Sequence, residues 1–245
     1  MTTRVFPVVL LVGSCGFFMV SAAQSVSPTT PSRNKSIPDR QATISAAELR
    51  VSGKARDAYR KAWFAMSENN LSDAARYIEK ALSVCPQYAA ALVLRATLEM
   101  QDKNSHERAK DDAEKAIEYD PNYAEAYIVL GSAFNSLGQF DDAIRTLDRG
   151  IVLLPTSWQG HYEMSYALWG KRDFLGGLHQ AESASSLGAG NYPDLHLVKA
   201  YCYEGLKNGS AAATVEREAF RSLDLRNPVL SEARQWAPTG QLDGR

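Results

Sequence analysis

The segment PNYAEAYIVLGSAFNSLGQFDDAIRTLDRGIVLLP, Pro121 to Pro155, carries its apolar residues at helical rather than strand spacing. A break at Gly138 divides it into two amphipathic helices, and a proline stands at each end. Gly131, Ala143 and Gly150 fall inside these helices, where larger side chains would bury more surface. Glycine within a helix costs about 1 kcal/mol against alanine. Something must offset that cost, and the rest of the chain indicates what does.

The same triplet of small residues recurs. It appears as Ala62, Ala74 and Ala81, as Ala96, Ala109 and Ala116, as Ser165, Gly177 and Ala184, and as Ala200, Ala212 and Ala219. Its first members lie 34, 35, 34 and 35 residues apart, and all fifteen positions are Ala, Gly or Ser. Pro86, Pro121 and Pro155 end the first three units in phase. Asn69-Asn70, Asn104-Ser105, Gly138, Arg172-Asp173 and Asn208-Gly209 mark a break inside each unit. Each unit therefore reads as helix A, tight turn, helix B. No run of alternating β-branched residues competes with this, so the class is all-α. The small residues belong where two helix axes approach closely, and the gain in packing offsets the glycine cost.

On these residues the chain resembles the tetratricopeptide repeat family, whose pattern runs over 34 residues. Tyr127, Leu130-Gly131, Phe134, Ala143, Leu147 and Pro155 match it, with Gly150 for the second alanine. The fourth unit departs at Gly177 and at Ala189, where proline is expected, and in the fifth Pro228 comes late. The resemblance covers about Ala55 to Asp224. It implies a right-handed α-α superhelical solenoid of about five helix-turn-helix repeats with a C-terminal capping helix. Asn227-Pro228 suits a helix start, which places a closing helix over Pro228 to Ala237 with Trp236 laid on the last repeat. Ser45 and Glu48 have capping-box spacing.

The resemblance further implies that residues of the A helices line a concave groove for a protein or peptide partner. Tyr59, Trp63, Met100, Asn135, Tyr162, Tyr166, Trp169 and Tyr201 fall on that stripe and are the expected partner-binding residues. Glu163 falls on it too, and Val93, Leu94, Ile128 and Val129 share it and suit packing beneath neighbouring helices equally well. A groove that clamps a peptide carboxylate with lysine is not expected. The corresponding places hold Tyr59, Val93, Ile128, Tyr162 and Leu197.

Charge and chemistry narrow the function. The net charge is −1, so there is no basic excess to follow phosphates, and nucleic acid is not an expected partner. Histidines 106, 161, 179 and 196 fall in no metal or nucleophile motif, and no phosphate-binding loop follows a strand. No cofactor, metal or catalytic residue is expected, and the protein is read as not an enzyme.

Residues 1–23 have the layout of a secretory signal peptide: Arg4, a mostly apolar Val5 to Val20, and small residues at Ser21-Ala22-Ala23. That apolar run is 16 residues, against the roughly 20 that a spanning helix needs. LLVGSC offers a rival, lipidation at Cys15, and membrane attachment is expected only in that case. Residues 24–44 read as a disordered linker, 45–237 as the repeat domain and 238–245 as a flexible tail. Cys85 and Cys202 lie several helices apart, too far for a disulfide. The expected function is a non-enzymatic scaffold of the bacterial cell envelope, periplasmic or secreted. The alternative is a carrier of glycan or cell-wall fragments, because aromatic faces also stack on sugar rings.

Overall fold

The structure, a computed structural model, describes residues 50–224 apart from 103, 207 and 208. The segments expected as signal peptide, linker, closing helix and tail lie outside the described residues. Ten α-helices follow one another, with no strand among the described residues. They are α1 (Gly53–Ser67), α2 (Leu71–Val84), α3 (Ala89–Glu99), α4 (His106–Tyr119) and α5 (Ala124–Ser136). There follow α6 (Phe140–Leu153), α7 (Trp158–Gly170), α8 (Phe174–Ser186), α9 (Pro193–Gly205) and α10 (Ser210–Asp224). Odd-numbered helices are the A members of five pairs and even-numbered helices the B members. Each helix packs on the next, and α3, α5, α7 and α9 also touch one another in succession. The A helices thus form a row, and the chain is an all-α solenoid.

Local chemistry sets the helix ends. Ser52, Asn70, Ser157 and Asp173 each accept a hydrogen bond from a backbone N–H of the first helical turn. The A-to-B turn needs a left-handed residue, supplied by Asn69 (φ 56°), Gly138 (φ 74°) and Arg172 (φ 66°) at equivalent places. The loop between units is a turn closed by a backbone bond. Tyr88 N–H donates to Cys85 O, Tyr123 N–H to Asp120 O, Ser157 N–H to Leu154 O and Tyr192 N–H to Ala189 O. One turn into the following A helix, a side chain ties back to that loop. Tyr127 OH donates to Pro121 O (3.0 Å), and His161 Nε2 and His196 Nε2 lie 3.2 and 3.0 Å from Pro155 O and Gly190 O.

Two register assignments need correction. Gly190, not Ala189, occupies the place of Pro121 and Pro155, because the extra residue of the fourth unit is absorbed at Gly188 (φ 113°). In the fifth unit the buried small residue of helix B is Ala213, at 3% exposure, whereas Ala212 is half-buried. Ala213 is the fourth residue of α10, as Ala74, Ala109, Ala143 and Gly177 are of the other B helices. The interval from Ala200 is thereby one residue longer, as it is in the second unit, and the last small place holds Phe220 rather than Ala219.

The other thirteen small positions are all buried. A methyl group on Gly131 would stand 2.4 Å from Leu147 Cγ, so Leu147 occupies the space that a side chain there would need. One on Gly150 would lie 3.2 Å from both Tyr127 Cβ and Ile128 Cγ1. One on Gly170 would meet the Phe140 ring at 2.5 Å, and one on Gly205 the Phe174 ring at 2.4 Å. The core that results runs along the whole stack. One cluster spans Val51 to Ala133, a short one joins Ala143 and Leu147 to Met164 and Ala167, and a third spans Tyr162 to Cys202.

Gly131→Ala is expected to lower stability by about 1–3 kcal/mol through overpacking against Leu147. In a Leu147→Ala background the same change should be neutral, or stabilising by up to about 1 kcal/mol as helix propensity takes over. Melting curves followed by helical circular dichroism check both arms.

Candidate functional site

The A helices of the last two units carry a line of aromatic rings. Trp169 on α7 stacks on Tyr201 of α9, with centroids 5.3 Å apart and planes inclined by 27°. Tyr166 lies 5.3 Å from Trp169 on one side, and Phe140 lies 6.3 Å from Tyr166. At the other end the Arg217 guanidinium sits over the Tyr201 ring at 5.5 Å and donates to Glu204 through Nε (2.8 Å) and Nη2 (2.5 Å). Tyr166, Trp169 and Tyr201 are half-buried, each packed into the stack while keeping surface open to solvent. The placement follows from helix geometry. Tyr166 and Trp169 lie three residues apart on one face of α7, and Tyr201 holds in the next unit the place of Tyr166.

The eight expected residues therefore separate into three groups. Tyr166, Trp169 and Tyr201 form the continuous line. Tyr59 and Trp63 sit at the other end of the solenoid on α1, against the first core cluster, with Tyr59 5.2 Å from Tyr88 and Trp63 edge-on to Phe64. Met100, Asn135 and Tyr162 are 3%, 5% and 5% exposed and belong to the interior, not to an open groove lining. Met100 closes α3 within the core. Tyr162 stands edge-on to Tyr192 at 5.2 Å, and burial holds its hydroxyl well above the usual phenol range. Val93, Leu94, Ile128 and Val129 are likewise buried.

Asn135 has a different partner. Its Nδ2 donates to Glu163 Oε2 and to the Glu163 backbone carbonyl, both at 2.9 Å, and Ser132 Oγ donates to Glu163 Oε1 at 2.9 Å. Glu163 is 2% exposed, and its carboxyl is pushed up to about 7, chiefly by burial, with the two hydrogen bonds opposing the shift. Phe140 and Arg217 lie off the expected stripe, and Glu163 lies on it without being one of the eight expected partner-binding residues. The stripe marks the face of Glu163 but not that Ser132 and Asn135 enclose its carboxyl. The other two come from B helices, which a stripe drawn along A helices cannot reach.

A second polar cluster joins the first two units. Arg95 on α3 donates in fork geometry to Asp112 (2.5 and 2.9 Å) and to Glu79 (3.0 Å). It lies in a cleft of about 300 Å³ with Glu99, Arg108, Asp111 and Lys115. Charges of both signs alternate there, and the Arg95 pairing bridges α2, α3 and α4, so the cluster fastens three helices together. Among the described residues no three His, Cys, Asp or Glu side chains are grouped to hold a metal ion. No described helix is long and apolar enough to cross a membrane.

Comparison with known proteins agrees with this architecture. Residues 102–156 match the family model described as tetratricopeptide repeat. A protein STIP1 homolog of Dictyostelium discoideum is 29% identical over 127 residues, which are 50% of this chain; the chain spans only 22% of that relative. Among solved structures, TTC0263, a thermophilic TPR protein of Thermus thermophilus, superposes with a TM-score of 0.57 at 19% identity, over 74% of this chain and 98% of its own. MamA 41-end from Desulfovibrio magneticus RS-1 gives 0.55 at 15% identity, over 73% and 99%. At these identities the structures speak to the fold alone.

The two thiols among the described residues should differ in reactivity. Cys202 is buried and its thiol is pushed up to about 12, chiefly by burial, whereas Cys85 is partly exposed. At pH 8 a maleimide is expected to modify Cys85 in the folded protein and to reach Cys202 only after denaturation, as mass spectrometry of the peptides would register.

Proposed function

We propose that this chain, which belongs to the tetratricopeptide repeat family, is a non-enzymatic scaffold that holds a partner protein or peptide on the aromatic line of its last two repeats. The observation that carries this reading is the half-exposed stack of Trp169 on Tyr201, extended by Tyr166. Large rigid rings dominate recognition surfaces because they bury much apolar area while losing little conformational freedom. A solenoid also offers an extended face rather than an enclosed cavity, which suits a segment of polypeptide. The tetratricopeptide repeat match over residues 102–156 and the similarity to the STIP1 homolog support an interaction role.

The reading places the scaffold in the bacterial cell envelope, delivered by the N-terminal signal of residues 1–23. Arg4, the apolar Val5 to Val20 and the small residues before Gln24 support export. Cleavage after Ala23 would release it to the periplasm or beyond, and lipidation at Cys15 would instead hold it on a membrane.

Trp169→Ala is expected to weaken capture of a partner from envelope extract at least tenfold, with helix content by circular dichroism unchanged. Unchanged capture would remove the aromatic line from the reading, and parallel loss of helix content would return Trp169 to the core. Cell-wall glycan fragments that quench tryptophan fluorescence in wild type but not in Trp169→Ala would favour the carrier function instead.

A further inference from the structure

The contact between the third and fourth repeats differs from its counterparts. At the place of Glu163 the A helices that also follow an earlier repeat carry Leu94, Val129 and Val198, all buried, while α1, with no repeat before it, carries the exposed Arg60. At the place of Asn135 the A helices that precede another described repeat carry Met66, Met100 and Trp169, and the last, α9, carries the exposed Glu204. One joint in an apolar row has thus become polar on both sides, with Glu163 of α7 against Ser132 and Asn135 of α5. The exchange is incomplete in two respects. Among the described residues Glu163 meets two side-chain hydrogen-bond donors and no cation. Asn135 Oδ1, also buried, has no hydrogen-bond partner. Tyr162, Tyr166, Tyr192 and Asp194 are the titratable groups that bear on Glu163, and none of them can be cationic.

We propose that Glu163 is a proton-operated latch between the third and fourth repeats, closed when the carboxyl carries its proton and loosened when the proton leaves. A neutral carboxyl suits the site. Its O–H donates to Ser132 Oγ, and the serine turns its own hydrogen away, since a hydroxyl serves equally as donor or acceptor. An ionised carboxyl there is a buried charge without a counter-ion, which favours entry of water or separation of the helices. The position of Glu163 near neutrality, at about 7, sets the working range. The folded state holds this proton more tightly than the unfolded chain does. The stabilisation is therefore complete below the ordinary carboxyl range near 4.5 and is lost as pH rises through about 7. The latch does not depend on what the aromatic line binds.

The test uses the full chain at pH 5 and pH 8. Wild type is expected to melt on the order of 5 °C lower at pH 8, and Glu163→Gln, which fixes the neutral form, should lose that difference. Spin labels at Val152→Cys and Leu175→Cys, both 68% exposed and on α6 and α8 at either side of the joint, read the opening directly once Cys15 and Cys85 are changed to serine. A longer or broader distance at pH 8 in wild type, absent in Glu163→Gln, is the expected result. Equal pH profiles in the two proteins, or a wild-type distance that does not change, would overturn the latch. If Glu163→Gln does not fold, Ser132→Ala decides. Removing a donor to the carboxylate should move the pH midpoint upward, and an unmoved midpoint would count against the proposal.

Discussion

Leu147 lies where a methyl group on Gly131 would stand, and the fold depends on contacts of this kind. Burying a leucine fully contributes about 1.5–3 kcal/mol, and Leu147 has no exposed surface. The glycine that admits it costs about 1 kcal/mol in helix propensity. Packing wins, and the same balance is repeated along the stack. Phe140 lies against Gly170 and Phe174 against Gly205, while the Cys202 sulfur would be 2.8 Å from a methyl on Gly177. Small residues on one helix set how deeply the neighbour can seat its large ones. The axes come close because nothing at these places holds them apart.

Close seating also decides what is left for recognition. Once the A helices pack tightly in a row, the aliphatic residues on their shared face become interior, as Val93, Leu94, Ile128 and Val129 are. Some of the larger side chains on that face still reach solvent. In the last two repeats these are Tyr166, Trp169 and Tyr201, which stack on one another and so hold their orientation before any partner arrives. A preordered face of this kind loses little entropy on binding. It is an open face rather than an enclosed pocket.

The architecture was legible in the sequence because the constraint on small side chains is periodic and tolerates few substitutes. Thirteen of the fifteen positions read as close contacts are buried. The two failures, Ala212 and Ala219, come from one added residue in the turn before α10. A fixed period cannot anticipate that residue, because turns absorb length without disturbing the helices they join. The expected site was legible only in part. A stripe on a helix says which residues share a face. It does not say whether the next helix covers that face, and so it placed Met100, Asn135 and Tyr162 beside residues that do reach solvent. The role of Glu163, itself on the stripe, escaped for a related reason: it depends on Ser132 and Asn135, which lie some thirty residues back and face it only because the units stack in register.

A polar joint in the middle of such a stack is tolerable because solenoid stability is close to a sum of repeat terms and nearest-neighbour interface terms. In a fold with one enclosed core, an uncompensated carboxylate would weaken everything around it. Here its cost falls chiefly on the contact of α5 with α7, while the joints on either side are built on the apolar Val129 and Val198. The next joint along is the one that carries Trp169 against Tyr201. A change in how the third and fourth repeats meet therefore turns the aromatic line as a unit relative to the repeats before it, leaving its internal stacking intact. Local weakness at one contact and rigidity at the next are consequences of the same arrangement, in which each repeat is answerable only to its neighbours.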